Sequence, residues 1–428
     1  MPSPARKAAL DVLRAVAQGR TAADALDRAA APLRDERDRA LLNELVLGSL
    51  RRRGWLDHVI VAMSERPLQK LQPAILDVLR LGAYQLLFLR VAQHAAVSES
   101  VELARAAEPR AAGFANAVLR RLQRDGPPAE PDPALDPVGW MSTAGSLPRW
   151  LAERWNARLG APAALARARA GLEAAPTFLR LNPRVPDAAA RLAAADVALE
   201  PTLVPDAFVA RGGSLGRFME QGVVYLQDAG SQLVARLVAA AGLWLDACAA
   251  PGGKALLMAD AAAAGTRIVA AEASRARLAL LTRLAARWGA NGLLPVAADA
   301  LRPPFRCLFD GILLDAPCSG LGTLARNPDI RWRSTPADPA RHADRQRAML
   351  ESLAPLVRAG GQLVYATCSV EPEETHGVID AFLEHHDSFT EADLPEWARD
   401  FAVGKRVELE PSRRAGDGFF AVVLRRTS

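Results

Sequence analysis

The sequence predicts an α/β protein: a doubly wound, mostly parallel sheet in the C-terminal half, preceded by an all-helical segment and a small α+β region. Three observations carry the prediction. Residues 4–125 place apolar side chains at helical spacing with few glycines or prolines to interrupt them. Five prolines then fall at 127, 128, 131, 133 and 137. From about residue 226, short apolar runs ending in polar residues alternate with helical stretches, the order of a parallel sheet covered on both faces.

In the first segment, Leu10, Leu13, Val16 and Ala17 recur at helical spacing, as do Ile75, Val78, Leu79, Gly82, Leu86 and Leu89. An all-helical domain is expected over 1–126 and a proline-rich linker over 127–138. Residues 139–225 mix helical and strand-like pieces, such as Phe178 to Pro183, and read as a small α+β domain. The domain over 226–428 carries the strand-like runs. LWLD ends at Asp246, RIVAAE at Glu272, LLPVAAD at Asp299, GILLD at Asp315 and QLVYATC at Cys368. In open parallel sheets ligands bind outside the carboxyl ends of the strands. These five residues therefore mark one crevice by pattern alone.

Composition narrows the class. Half of the 428 residues are hydrophobic and the mean hydropathy is +0.03, so a large core is available and extensive disorder is excluded. The net charge of +5 and pI near 9.3 are compatible with a polyanionic partner without identifying one. Only Lys7, Lys70, Lys254 and Lys405 are lysines among 53 basic residues. With so many alanines this reads as the mark of a GC-rich genome, and it makes a lysine inside a glycine motif conspicuous. Charges interrupt the apolar stretch at the N-terminus, and no uncharged apolar run reaches about 18 residues, so neither a signal peptide nor a membrane span is expected. Four cysteines are too few for a disulfide scaffold and lack the spacing of a zinc site. The six histidines show no ligand spacing, so no metal is expected. A cytoplasmic protein with free thiols fits these features.

Three motifs carry chemistry. Asp246-Ala-Cys-Ala-Ala-Pro-Gly-Gly-Lys254 lies between a strand and its helix. Adjacent glycines admit a ligand close to the backbone, and the helix N-terminus favours negative charge such as a carboxylate. Glu272 closes the next strand, where an acid accepts hydrogen bonds from ribose hydroxyls, and Asp299 is placed to face an adenine amino group. A phosphate loop is excluded, because Ala255 follows Lys254 and the first glycine is missing. The second motif is Asp315-Ala-Pro-Cys318-Ser-Gly-Leu-Gly, the third Thr367-Cys368-Ser369. Cys307, in an apolar run, and Cys248 read as small buried hydrophobes. Cys318 and Cys368 do not, since strand ends open on the crevice. Arg331-Trp332-Arg333 reads equally as a phosphate clamp with a stacking base platform, or as a core tryptophan flanked by solvated arginines. Arg51, Arg52 and Arg53 form a basic run, either a solvated face or an RNA footprint.

The strings DACAAPGGK, DAPCSGLGT and YATCS resemble the RNA 5-methylcytosine methyltransferases of the Nol1/Nop2/Sun family. ELVLGSLRRRGWLD, LRLGAYQLLFL, HAAVSESVELA and FANAVLRRL resemble a NusB-like RNA-binding domain. RLNP, VVYLQDAGSQLVA and GDGFFAVVLRR extend the resemblance over nearly the whole chain. It implies a Rossmann-like class I methyltransferase domain with a mostly parallel seven-stranded sheet, an RRM-like middle domain, and S-adenosylmethionine as cofactor. The cofactor set is then Asp246, Cys248, Ala249, Ala250, Pro251, Gly252, Gly253, Lys254, Glu272, Arg277, Asp299 and Asp315. The implied partner is 16S ribosomal RNA, at a loop cytosine usually numbered 967, with the protein acting as a monomer. Thr375 stands where the family often has asparagine after the pair Glu373-Glu374.

The chemistry agrees. Carbon 5 of cytosine is a poor nucleophile until a thiolate adds to carbon 6. The thiol must therefore have a locally lowered pKa. A protonated or strongly hydrogen-bonded Asp315 suits the charge appearing near ring nitrogen 3. The residues alone leave two candidates for the nucleophile, since DNA 5-methylcytosine enzymes use the cysteine of a Pro-Cys pair, here Cys318. By the resemblance, Cys368 attacks and Cys318 assists release. The rival of another class is a NusB-like RNA-binding or antitermination module carrying a dead enzyme domain, against which the intact cysteines, Asp315 and glycine pair argue. An adenine amino-methylating enzyme needs an Asp/Asn-Pro-Pro-aromatic string, which Asp315-Ala-Pro-Cys318 is not.

Overall fold

The computed structural model describes residues 2–238, 241–412 and 416–428, arranged in two compact units. The first runs to Ala174 and adds the later segment Leu324–Pro336; the second comprises Ala175–Thr323 and Ala337–Ser428.

The first unit is helical. Its long helices are Pro4–Ala17, Ala22–Ala30, Glu36–Arg51, Arg53–Ser64, Pro73–Phe88, Gln93–Ala107 and Ala112–Asp125. Local chemistry sets their starts. Pro4 and Pro73 occupy first turns, where a missing N–H costs no hydrogen bond. Thr21 and Asp35 accept from Asp24 and Arg37 amides as N-caps. Leu10, Leu13, Val16, Ile75, Val78 and Leu79 are buried as their spacing predicts, whereas Ala17 is exposed at the end of its helix. Residues 126–136 carry no helix or strand. Three further helices, Pro137–Ser142, Arg149–Leu159 and Ala161–Leu172, belong to this unit. The Trp55 amide donating to Ser146 Oγ at 3.2 Å is one tie between them and the earlier helices. The stretch 139–174, grouped by its pattern with the α+β region, is thus helical and part of the first unit; the sheet begins only at Phe178.

The second unit holds two sheets. β1 (Phe178–Leu181), β2 (Ala198–Pro201), β3 (Phe208–Arg211) and β4 (Val224–Leu226) form a small antiparallel sheet in the order β2-β3-β1-β4. Leu179, Leu192, Val197, Phe218 and Val224 fill its core. The large sheet contains β5 (Leu243–Asp246), β6 (Arg267–Glu272), β7 (Leu293–Ala297), β8 (Phe309–Asp315), β9 (Val357–Thr367), β10 (Phe389–Glu391), β11 (Ala402–Val403), β12 (Arg406–Leu409) and β13 (Phe419–Arg426). Its order is β11-β12-β13-β9-β8-β5-β6-β7, with β10 pairing β13. The five strands from β7 to β9 are parallel, and the C-terminal strands run antiparallel to them. The mostly parallel sheet of the sequence reading is present with nine strands rather than seven. The additions, β10 and β11, are three and two residues long, too short to leave a periodic signal.

Both faces of this sheet are buried, which is why its parallel strands read as continuous apolar runs. Trp244, Ile268, Leu313 and Val364 face the helices Ala229–Arg236, Gly253–Ala261 and Arg275–Trp288. Their neighbours Leu245, Val269, Ile312, Leu314 and Leu363 face Asp338–Leu353 and His376–His385. Strand order reverses at β5, with β6 on one side and β8 on the other, so the carboxyl ends of β5, β6 and β8 surround a switch point. Among the described residues no helix is long and apolar enough to cross a membrane, and no group of side chains is placed to hold a metal ion.

Candidate active site

Asp246 and Glu272 end β5 and β6, Asp315 ends β8, Cys368 follows β9 and Asp299 lies two residues past β7. The Ala316 amide continues the β8–β9 ladder to the Ala366 carbonyl at 2.8 Å. That register sets the two cysteine loops side by side, and Cys318 Sγ lies 3.0 Å from Cys368 Sγ. A second tie is the Gly322 amide, which donates to the Cys368 carbonyl at 3.0 Å. A Cβ on Gly322 would stand 2.7 Å from that oxygen and 2.4 Å from the Gly418 carbonyl, so only glycine permits the approach.

Lys254 projects from the helix after β5 and puts Nζ 2.7 Å from Asp315 Oδ2. The Phe419 ring lies under the ammonium. The lysine is nearly buried, yet the Asp315 carboxylate more than offsets the cost of burial and raises its pKa. A fixed cation therefore stands in the crevice beside Asp315, a pairing that sequence spacing does not reveal because 61 residues separate the partners.

Burial and the short contact act on the Cys368 thiol in the opposite sense to the sequence expectation. The hydrogen bond with Cys318, then burial, then the charge of Asp315 hold the Cys368 thiol well above its ordinary pKa; Lys254 pulls the other way without prevailing. The free protein thus stores Cys368 as the thiol. Its alkylation by iodoacetamide should be slow at pH 7, rise about tenfold per pH unit and still be rising at pH 9. Peptide mass spectrometry separates this reaction from that of Cys307; a rate plateau below pH 8 would refute the raised pKa. Cys307 is exposed, not the buried hydrophobe expected from its apolar neighbours. Cys248 is partly buried, and burial followed by the Asp246 charge pushes its thiol far up, which leaves it inert.

At the end of β5, Asp246 is 1% exposed and neither carboxylate oxygen has a well-oriented hydrogen-bond partner among the described residues. Burial, then Asp315, push its carboxyl up to about 7. Cys248, Ala249, Ala250 and Pro251 form the turn beyond it, and Gly252 has φ 123°, a conformation that favours glycine. Gly253 begins the helix. Glu272 is buried and accepts from the Ser274 amide at 2.8 Å. Arg277 bonds the Ala250 carbonyl and lies 3.5 Å from Glu272, so it braces the turn from behind. Asp299 is exposed and accepts from the Leu301 amide at 3.0 Å.

Two arginine clusters depart from their expected roles. Arg331 is fully buried in the first unit, surrounded by the carbonyls of Arg51, Gly145, Ser146, Gly171 and Leu324. It is neither a phosphate clamp nor solvated. Trp332 donates to the Leu50 carbonyl at 2.7 Å. Arg51 is buried and donates to the Ala325 carbonyl, Arg52 covers the Phe88 ring and Arg53 the Trp332 ring, so this run is packing rather than an open basic face. The sequence reading also left Glu374 without a role; it is fully buried beneath both cysteine loops.

A doubly wound sheet with acids at its strand ends and a glycine turn opening the first helix is the architecture of the class I S-adenosylmethionine-dependent methyltransferases. The comparisons sharpen this. A model of the 16S rRNA methyltransferase RsmB/F family matches residues 238–425, and one of the NusB family matches residues 3–124. The chain is 36% identical to the ribosomal RNA small subunit methyltransferase B of Thermus thermophilus, over 99% of this chain and 98% of the relative. It is 35% identical to that of Sodalis glossinidius, over 96% and 95%. The crystal structure of PH0851 superimposes with a TM-score of 0.82 at 22% identity, covering 100% of this chain and 99% of that one, and so shares the fold. The chain belongs to the ribosomal RNA small subunit methyltransferase B family. The site fits the family's cofactor: the buried Asp246 carboxyl, whose oxygens lack a well-oriented partner among the described residues, with the glycine turn and Glu272, suits the hydroxyl, amino and carboxylate groups of S-adenosylmethionine.

Proposed function

We propose that this protein methylates carbon 5 of a cytosine in 16S ribosomal RNA through a covalent adduct with Cys368. The observation that carries the reading is the pair of thiols 3.0 Å apart, beside the Lys254–Asp315 ion pair at the same end of the sheet. S-adenosylmethionine, when bound, supplies the electrophilic methyl group. Asp246, the turn 248–253, Glu272, Arg277 and Asp299 hold it.

Cys368 gives up its proton, by way of Asp315, towards ring nitrogen 3 as its sulfur bonds to carbon 6 of the ring. The electron pair of the carbon 5–carbon 6 bond becomes available at carbon 5, which takes the methyl group. Ring nitrogen 3 takes that proton from the Asp315 carboxyl, and the Lys254 ammonium, 2.7 Å from Asp315 Oδ2, supplies a positive field for the charge developing there. Cys318, acting as its thiolate, then removes the proton on carbon 5, the carbon 5–carbon 6 double bond re-forms as the carbon 6–sulfur bond breaks, and Cys368 leaves and takes back the ring nitrogen 3 proton by way of Asp315. Assigning attack to Cys368 and release to Cys318 rests on the resemblance of the two motifs. The target base must be unstacked or flipped to reach the strand ends.

Bisulfite sequencing of ribosomal RNA from a deletion strain tests the substrate. Loss of 5-methylcytosine at one 16S position, restored by the gene, is expected; an unchanged pattern would refute the assignment.

A further inference from the structure

We propose that Glu374 is a positioning residue: its carboxylate clamps the loops carrying Cys318 and Cys368 and holds the two sulfurs in register. The proposal rests on the covalent reading above. Glu374 Oε1 accepts from the Ser319 amide at 2.8 Å and from Gln346 Nε2 at 3.2 Å. Oε2 accepts from Ser319 Oγ and from Ser369 Oγ, both at 2.5 Å. Ser319 directly follows Cys318 and Ser369 directly follows Cys368. One carboxylate is therefore bonded to the residue after each cysteine, and the two hydroxyl oxygens sit 3.2 Å apart across it.

Four donors fill the four acceptor sites of a carboxylate. Two of them, the Ser319 amide and the Gln346 amide group, cannot reverse to become acceptors. Burial pushes the Glu374 carboxyl up, while the bonds from Ser319 and Ser369 work against protonation. The surroundings are fixed in turn. Gln346 Nε2 also donates to the Pro317 carbonyl at 3.1 Å, and Tyr365 Oη donates to the Glu374 carbonyl at 2.7 Å. Glu374, Gln346, Tyr365 and Ser369 are fully buried. The clamp is thus rigid, dry and aimed at the one geometry the reaction needs, two thiols within contact of each other and of a single base. Glu374 touches neither thiol, so its action passes through the loops.

Glutamine cannot replace it. The amide oxygen must face the Ser319 N–H, which turns the NH2 toward two hydroxyls that now have to accept. Ser369 Oγ already accepts from the Glu371 amide at 3.2 Å, so a second accepted bond fills both its lone pairs and leaves its own proton without the carboxylate it was bonded to.

The test is Glu374→Gln in the full-length protein, with Ser369→Ala as a milder cut of one arm. Three quantities are read: kcat and KM for methyl transfer to a 16S RNA transcript, the rate of Cys318–Cys368 disulfide formation with diamide at pH 8.5, and the melting temperature. Diamide takes two electrons and two protons from the thiol pair, so its rate reports sulfur pairing without RNA or cofactor. For Glu374→Gln we expect kcat to fall about 30-fold with KM within twofold, and disulfide formation to slow about tenfold; Ser369→Ala should fall between. A folded Glu374→Gln protein with wild-type kcat, or with unchanged disulfide formation, overturns the proposal. Should that variant not fold, unchanged kcat and disulfide rate in Ser369→Ala overturn it equally. A slowed disulfide rate in a protein whose wild type methylates no cytosine would uphold the clamp and reject the reaction.

Discussion

Replacing Cys318 by alanine should trap the protein on its RNA, while replacing Cys368 should abolish both adduct and product. The two thiols touch, so neither change should disturb anything beyond the pair. Without Cys318 the ring is attacked and methylated, but no base removes the carbon 5 proton and the carbon 6–sulfur bond persists. A protein–RNA band that survives denaturing electrophoresis and disappears with nuclease is the expected result. Without Cys368 carbon 5 is never activated, and methyl transfer should fall by at least about 10³-fold, on the order of 4 kcal/mol in the barrier. Isotope-labelled methyl incorporation measures that loss. A trapped adduct in Cys368→Ala instead of Cys318→Ala would exchange the two roles while preserving the mechanism. No adduct in either, with methylation intact, would remove covalent catalysis altogether.

The strand ends of this site were legible because parallel strands buried on both faces have no choice but to be apolar until they reach the crevice. Asp246, Glu272, Asp315 and Cys368 each break such a run, and each lies at or directly after the end of its strand. The two contacts that organise those residues were not legible. Lys254 reaches Asp315 across 61 positions, and Glu374 reaches Ser319 across 55. Spacing along a chain records period and local turn chemistry, not which loops a sheet register will bring together. The same limit explains the arginines. A run such as Arg51-Arg52-Arg53 has the composition of a solvated face, and only the packed unit shows Arg51 buried, with Arg52 and Arg53 lying over aromatic rings. Cys307 failed in the other direction: apolar neighbours suggested burial, but the strand starts only at Phe309 and the cysteine lies outside it. The state of Cys368 also escaped the sequence. A nucleophile was expected to be poised as thiolate, yet a neighbouring thiol, burial and Asp315 together hold its pKa up.

The same reasoning makes Arg331 the position where one substitution should cost the most stability. Residues Leu324–Pro336 leave the methyltransferase fold just after the Cys318 loop and complete the helical unit. Arg331 is the centre of that insertion. Nη1 lies 3.2 Å from the Arg51 carbonyl, 3.5 Å from Gly145 and 3.3 Å from Ser146; Nη2 bonds Gly171 and lies 3.4 Å from Leu324. Burial, then the charges of Arg51 and Arg52, push the guanidinium down to about 9, so it is still charged at neutral pH. Carbonyl dipoles from four separate stretches of the unit stabilise that charge. Arg331→Met fills similar space but strands these carbonyls, each unmade bond costing on the order of 1–3 kcal/mol when buried. A loss of about 3–5 kcal/mol is expected for breaking so buried a network. Hydrogen exchange locates the effect: the helices Glu36–Arg51 and Ala161–Leu172 should lose protection, while β5, β6 and β8 keep theirs. Arg331→Lys, which keeps the charge but reaches fewer carbonyls, should fall between. Unchanged protection in both helices would mean that the insertion does not hold the unit together. Full loss in the sheet as well would mean that the two units unfold as one.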